Sequence, residues 1–234
     1  MINNNNRDLG SEKMTEMNKK TEAKPDDKAG IYVQGHIKIH DPESGEVYVN
    51  KRNAIHYENM SLALARSIAN KGTGFIHSMH FGNGGTSVDA TGVITYLPPR
   101  NSGTNADLYN NTFTKASDGS LGKIVDDTSV LNDDPTKNKI EIRHTPGYLY
   151  TDIFVSCLLD YSEPVGQLAF DNSSTSDGTY VFDELGLKTE ETETESAMLL
   201  THVIFHPVQK ALNRQIQVDY TIRIQTLTNL SSNL

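Results

Sequence analysis

The chain has no tryptophan, one cysteine and no long apolar run. A single cysteine cannot form an internal disulfide, and the apolar neighbours of Cys157 favour a small buried side chain over a reactive thiol. No apolar run approaches the ~18 residues that a membrane-spanning helix needs, and the N-terminus has no apolar signal-peptide segment. We therefore expect a protein of cytoplasmic origin that has no membrane partner.

Positive charge is also scarce. The chain has 21 Lys and Arg residues against 30 Asp and Glu residues, which gives a formal net charge of −9 and a pI near 5.3. Nucleic-acid binding relies on Lys and Arg to displace counterions from phosphates. This balance argues against direct binding of nucleic acid.

Length and polarity predict one domain and one arm. A chain of 234 residues can bury a single full-sized core. Residues 1–28 contain an asparagine run, many charges and almost nothing apolar, so burial cannot offset their ordering entropy. We predict a polar N-terminal arm at 1–28 and a domain at 29–234.

Alternating apolar and polar residues predict half-buried strands. One strand starts at Ile31, turns at 41–45 and returns through Val49, which makes a hairpin. The last strand alternates in the same way from Ile216 to Ile224. The hairpin residues expected to face the core are Ile31, Val33, Gly35, Ile37, Ile39, Val47 and Val49, and those expected to face away are Tyr32, Gln34, His36, Lys38 and His40.

One short helix is expected after this hairpin. Asn59 is a candidate N-cap and Gly72 a candidate stop, so the helix runs to about Lys71. Three apolar residues recur at four-residue spacing and are expected to pack, namely Met60, Leu64 and Ile68. We favour a helix that covers one face of a sheet over a helix that binds a partner.

The remaining pattern is that of strands and loops. Further strands are predicted at 75–81, 148–161, 165–170, 179–187 and 198–208. Residues 98–139 are rich in Asn, Asp, Ser, Thr and Gly, and predict a long loop excursion of the kind that often carries interactions. The fold class expected is mainly β, a single β-sandwich-like domain with one short helix, long loops and an extended N-terminal arm.

The eight histidines raise the question of a metal site. His36 with His40, and His202 with His206, have the i,i+4 spacing that places both members on one face of a strand. Four residues of extended chain span about 13 Å, whereas zinc–nitrogen bonds are about 2 Å long. A site would therefore need the two strands to be neighbours. We favour structural or surface histidines and predict no metal and no cofactor.

Other candidate chemistry is weak. The GNGGT stretch at 82–86 lacks the lysine and the spacing of known phosphate-binding loops, so a tight turn is favoured. No G-x-S-x-G motif is present. The acidic pairs at 126–127 and 133–134, and the acidic loop at 188–196, are expected to be solvated charges rather than catalytic or metal-binding groups. We predict no catalytic residue and no enzyme activity.

The stretch from Gly35 to Thr86 carries a resemblance. Its order is a strand, a DPESGEV turn, a strand, NAI, a helix containing LALA, a strand and FGNGGT. It resembles structural proteins of tailed-bacteriophage virions, in which a G-x-V-x-I-x-D-x-x-T-G-E-V segment precedes N-x-I, a small helix and a G-x-G-T turn. Ser44 stands where that pattern more often has Thr. The likeness resumes in FDELGL at 182–187, LTHVIFHP at 200–207 and QVDYTI at 217–222.

The resemblance implies a non-enzymatic virion component, assembled in the host cytoplasm, of the neck, collar, tail or baseplate. Neck or collar is slightly favoured. Such a component occurs as a homo-oligomer in symmetric copies, and heterologous contacts can close it into a ring. The arm at 1–28 and the loop at 98–139 are expected to bind other virion proteins. The alternatives are a fibre-like receptor-binding or glycan-binding module, and a baseplate or capsid decoration protein.

Overall fold

The computed structural model describes residues 29–103, 105–116, 125–126, 138–161, 163–164 and 179–228. The chain divides into two units, the first at residues 31–226 and the second at residues 1–30 with 227–234. The fold described below is that of the first unit. The arm predicted at 1–28 and the strand predicted at 165–170 lie outside the described residues.

The first unit is mainly β, as the alternation predicts. In chain order the elements are β1 (Ala29–His40), β2 (Val47–Ile55), α1 (Tyr57–Ala69), β3 (Ser78–Gly82), β4 (Thr86–Val88), β5 (Ile94–Tyr96), β6 (Asn111–Ala116), β7 (Val125–Asp126), β8 (Lys139–His144), β9 (Tyr150–Leu159), β10 (Thr179–Lys188), β11 (Leu199–Ala211) and β12 (Ile216–Thr228). No helix in the described part of the chain is long and apolar enough to cross a membrane.

Ten of these strands form one curled sheet, and the other two form a small separate one. The order in the large sheet is β6-β3-β10-β11-β2-β1-β12-β9-β8-β7, while β4 pairs only with β5. Strand β2 joins the two parts of the large sheet, because it pairs with β1 and, through Ala54 and Ile55, with β11. Apolar side chains from both parts meet in one buried cluster, so the architecture is β-sandwich-like.

The predicted hairpin is present, with some faces assigned wrongly. β1 pairs antiparallel with β2, and Ile37 and Ile39 are completely buried. The alternation predicts that Ile31 and Val47 are buried, but both are exposed. His40 was expected to face away but is buried, because the β1–β2 register shifts between Ile39 and His40.

The predicted helix is also present, with different caps. His56 is the N-cap, and its Nδ1 accepts a hydrogen bond from the Asn59 N–H at 3.2 Å. The predicted cap, Asn59, instead lies inside the first turn and donates its side-chain N–H to the Leu199 carbonyl. The helix ends at Asn70, which has a left-handed conformation. Ile68, expected to pack, is 81% exposed.

The rest of the pattern is largely confirmed. Strands β9, β10, β11 and β12 lie where the apolar runs predict them. The strand predicted at 75–81 begins only at Ser78. The segment at 98–139 is not one continuous loop, because it contains β6, which pairs with β3 in the large sheet, as well as β7.

Candidate functional site

Asp183 and Glu184 are two adjacent buried carboxylates. They form the candidate site together with the N–H groups and side chains that donate hydrogen bonds to them. On β10, Phe182 pairs with Val208 of β11 and Glu184 pairs with Ile204, so residues 205–207 of β11 lie opposite Asp183 alone. This is a bulge. The third of these residues is proline, which has no N–H to donate to a regular ladder.

Glu184 accepts hydrogen bonds from two loops at once. Its Oε1 lies 3.1 Å from the Gly84 nitrogen and 2.8 Å from the Asn110 nitrogen, and its Oε2 lies 2.9 Å from the Tyr109 nitrogen. The fourth partner is His202, whose Nε2 lies 3.0 Å from Oε2. One side chain of β10 thus holds the glycine-rich turn at 82–86 and the turn at 108–110 in place.

The surroundings of His202 determine its tautomer. The Arg100 N–H donates to His202 Nδ1 at 2.8 Å, so Nδ1 is the acceptor and Nε2 carries the proton donated to Glu184. His202 and Glu184 are fully buried. Both ring nitrogens are engaged within the protein, so this pair has no nitrogen free to accept a proton from a substrate.

The pKa values of the two carboxyl groups are shifted in opposite directions. Burial alone would raise the pKa of Glu184, but hydrogen bonds from His202 and from the N–H groups of Asn110, Tyr109 and Gly84 outweigh it, so the pKa lies below its ordinary value. Burial raises the pKa of Asp183 in spite of its hydrogen bonds from Thr86 and Gly85. Glu184 is therefore the firmly ionised member of the pair.

Asp183 holds the second half of the glycine-rich turn. Its Oδ1 accepts from the Gly85 N–H and its Oδ2 from the Thr86 N–H, both at 2.9 Å, and the Thr86 hydroxyl also donates to Oδ2. A Cβ on Gly84 would lie 2.8 Å from the Asn110 nitrogen, which explains a glycine there. The turn does present N–H groups to anions, but these anions are the protein's own carboxylates.

The small sheet β4–β5 continues from this anchored turn. At its base, the Leu97 N–H donates to the Gly85 carbonyl at 2.9 Å, and the Tyr96 hydroxyl lies 3.1 Å from His206 Nδ1. At its far end, the Asp89 carboxylate accepts from the N–H groups of Thr91 and Val93 and closes the turn.

This hairpin displays apolar side chains to solvent. Val88 is 62% exposed, Val93 is 57% exposed and Tyr96 is 50% exposed. Apolar groups grouped on one exposed element are typical of contact surfaces. The hairpin is therefore both fixed at its base and apolar on its surface.

The histidine pairs named in the sequence do not meet. His36 and His40 lie on β1, His202 and His206 lie on β11, and β2 lies between those two strands. Among the described residues, no group of three or more His, Cys, Asp or Glu side chains is arranged to hold a metal ion.

His80 occupies a polar niche on β3. Its Nε2 lies 2.8 Å from the Ser78 hydroxyl, and its Nδ1 lies 3.1 Å from both the Asn111 side-chain nitrogen and the Thr114 hydroxyl. Burial, with the nearby Lys188 ammonium, lowers the pKa of His80 to about 4. The imidazole is therefore neutral at physiological pH.

The acidic candidates fall into two groups. Asp126 is in β7, and the acids at 127 and 133–134 lie outside the described residues. In the acidic loop, Glu195 pairs with Arg66 of α1 at 3.3 Å and accepts from Thr73. That carboxylate therefore fastens the loop to the end of the helix.

Among the described residues, four lysines are buried in strands although the sequence pattern does not predict it, and two of them, Lys115 and Lys210, are almost completely enclosed. Lys115 Nζ lies 2.6 Å from the Glu163 carboxylate, and Lys210 Nζ donates to the carbonyls of Asp160 and Ala211 at 2.9 Å. Burial lowers the pKa of Lys210 to about 8. Both lysines lie in strands of mixed polarity, so no local sequence pattern marks them as buried.

Cys157 is the buried side chain that the sequence predicts. It is completely buried, and burial raises the pKa of its thiol to about 12. A thiol of this kind is protonated at neutral pH and shielded from reagents.

The chain matches no family model, no curated protein and no solved structure.

Proposed function

We propose that this chain is a non-enzymatic structural protein of a tailed-bacteriophage virion, a subunit of a symmetric ring or collar in the neck or tail region. The proposal draws on the residue order at 35–86 and its continuation at 182–187, 200–207 and 217–222. The observation that carries it is the β4–β5 hairpin, which is held rigidly at its base and presents apolar side chains at its surface.

An anchored hairpin suits a docking role for an energetic reason. Ordering a flexible segment on binding costs about 0.5–1.5 kcal/mol for each immobilised side chain. Hydrogen bonds from Gly85 and Thr86 to Asp183 order the start of the hairpin before any partner arrives. Contact through Val88 and Val93 then gains from apolar burial with less offsetting entropy. The partner we propose is an adjoining virion protein.

The buried acids and histidine support a scaffold role as well. Glu184, His202 and Asp183 have the chemical types of catalytic groups, yet each is engaged by backbone or side-chain partners of the same chain. They position loops and leave the outer surface to make contacts.

The proposal is tested on purified particles. Particles of the phage that encodes this chain are banded on a density gradient, and their proteins are quantified by mass spectrometry. We expect the chain in a fixed ratio to the major capsid protein, at a multiple of the ring symmetry. Its absence from washed, infectious particles would refute the proposal.

A further inference from the structure

The glycine-rich turn after β3 contains a chemically labile pair of residues. Asn83 followed by Gly84 is the only Asn-Gly step in the sequence. Glycine has no Cβ, so its backbone nitrogen is unhindered and can attack the side-chain amide carbon of the preceding asparagine. The turn therefore brings together the two groups that react in spontaneous deamidation.

The fold requires the glycine of this pair. A Cβ on Gly84 would lie 2.8 Å from the Asn110 nitrogen and 2.8 Å from the Tyr109 Cβ. Neither atom lies at the far end of a flexible side chain, so a larger residue would strain the turn. Packing thus keeps a labile pair at this position.

The reaction proceeds through a cyclic imide. The Gly84 nitrogen loses its proton to solvent hydroxide and forms a bond to the Asn83 Cγ. The bond from Cγ to Nδ2 then breaks, and Nδ2 takes up a proton from water and leaves as ammonia. Water opens the imide at either carbonyl, which yields aspartate or isoaspartate. The reaction needs only water.

In the folded chain the attacking nitrogen is engaged by a carboxylate. The Gly84 N–H donates to Glu184 Oε1 at 3.1 Å, and Glu184 is fully buried. The next N–H along the chain, that of Gly85, donates to Asp183 Oδ1 at 2.9 Å. Negative charge beside the Gly84 nitrogen opposes the loss of its proton, because the product would be a second anion.

The asparagine of the pair is also restrained. Its Oδ1 accepts from the Asn110 side-chain N–H at 2.5 Å, and its backbone N–H donates to the Asn110 carbonyl at 3.2 Å. Asn83 is half-buried. These contacts restrict the rotations that bring Cγ towards the Gly84 nitrogen. Reaction should therefore depend on local opening of the turn.

We propose that Asn83–Gly84 is a deamidation site that Glu184 holds closed in the folded protein and that reacts when the turn opens. Isoaspartate adds one carbon atom to the main chain immediately before the N–H groups of Gly84 and Gly85. Those groups can then no longer meet Glu184 and Asp183 as they do in the intact turn. Modification at this site therefore releases the base of the β4–β5 hairpin. This inference does not depend on the virion proposal.

The wild-type chain provides the first test. Full-length protein is incubated at mildly alkaline pH, folded in buffer or unfolded in guanidinium chloride. Peptide mass spectrometry measures the conversion of the Asn83 amide to an acid over time. We expect the folded chain to react at least about tenfold more slowly than the unfolded chain. Equal rates would overturn the proposal, and this comparison needs no variant that has to fold.

A substitution tests the role of the carboxylate. Glu184→Gln removes the negative charge beside the Gly84 nitrogen, so the folded variant should deamidate roughly tenfold faster than the folded wild type. Gly35→Ala is the matched control, since it destabilises the protein by overpacking β1 against Asn53 and leaves the turn intact. It should react at the wild-type rate. A Glu184→Gln chain that reacts no faster than Gly35→Ala would refute the role of Glu184.

The product tests the consequence for the hairpin. The deamidated chain carries an added negative charge and is separated from intact protein by anion exchange. Hydrogen exchange is then compared for the backbone amides at 84–97. We expect faster exchange at Gly84, Gly85 and Thr86 in the isoaspartate form, because their carboxylate partners are lost. Unchanged exchange at these amides would contradict the release of the hairpin.

Discussion

At the scale of the residue, the molecule depends on buried carboxylates whose lost hydration is replaced by protein donors. An ionised carboxylate inside a protein is stable only where hydrogen bonds replace water. Glu184 receives three backbone N–H groups and the His202 imidazole, and its pKa is lowered despite burial. In the FDELG motif, which carries part of the resemblance, the glutamate therefore holds two loops in place.

Glu184→Gln tests this reading. The amide keeps the shape of the side chain but replaces one acceptor oxygen with a donor that would face N–H groups. We expect the free energy of unfolding to fall by about 2–4 kcal/mol. Urea denaturation at pH 7 measures it, with the exposed Glu191→Gln as a control that should change little. A loss no larger than that of the control would contradict the anchoring role.

His80 makes stability depend on pH in a definite direction. Its pKa is lowered to about 4 in the folded protein from 6.5, so only the unfolded chain takes up a proton between these values. Stability is present above pH 6.5 and is lost as the pH falls towards 4, by up to about 3 kcal/mol. Urea denaturation of the wild type and His80→Gln between pH 7.5 and 4.5 should show this loss only in the wild type. A difference independent of pH would exclude His80.

At the scale of the element, the close packing of β1 against β2 explains two residues of the motif at 35–86. The Asn53 side chain fills the space above Gly35, where a Cβ would lie only 1.7 Å from Asn53 Oδ1. That amide donates to the hydroxyl of Tyr220, which is fully buried. The glycine and the asparagine together hold β1, β2 and β12 in register.

Gly35→Ala should therefore destabilise the protein by about 1–3 kcal/mol through overpacking. Asn53→Ala removes the obstructing group, so the double variant should lose less than the sum of the two single variants. Thermal denaturation of the four proteins of this cycle measures the coupling. Strict additivity would mean that the two residues do not share the space.

The sequence predicts where strands and turns lie better than it predicts which side chains are buried and which residues contact each other. Strict alternation locates β1, β2 and β12, and glycine and proline locate the turns. The exposure of Ile68 and the burial of His40 depend on how far the sheet extends and on a bulge, and neither is visible in local periodicity. The backbone N–H partners of Glu184 come from residues 74–100 positions away, so only the fold could identify them.

The hairpin β4–β5 carries a prediction of its own. Val88→Asp should leave the melting temperature unchanged, because Val88 is largely exposed, but should reduce incorporation into particles by roughly tenfold. Ser87→Asp, the adjacent exposed position, adds the same charge and serves as the control. Complementation of a deletion phage, scored by the amount of chain in purified particles, measures both. Equal incorporation would remove the hairpin from the interface.

At the scale of the whole molecule, the domain is a β-sandwich-like scaffold with polar anchors inside and exposed apolar side chains on its outer elements. The order of strands places β3 and β10 beside each other, so the turn that follows β3 reaches the carboxylates of β10. The hairpin β4–β5 grows from that turn, and α1 packs on the same part of the sheet. Both elements carry exposed apolar side chains.

The most direct measurement is a cryo-electron microscopy map of the phage particle. The account predicts density for this domain in a symmetric ring at the neck or tail, with Val88 and Val93 buried against an adjoining protein. A map in which the domain is absent, or in which the β4–β5 hairpin faces solvent in every copy, would contradict it.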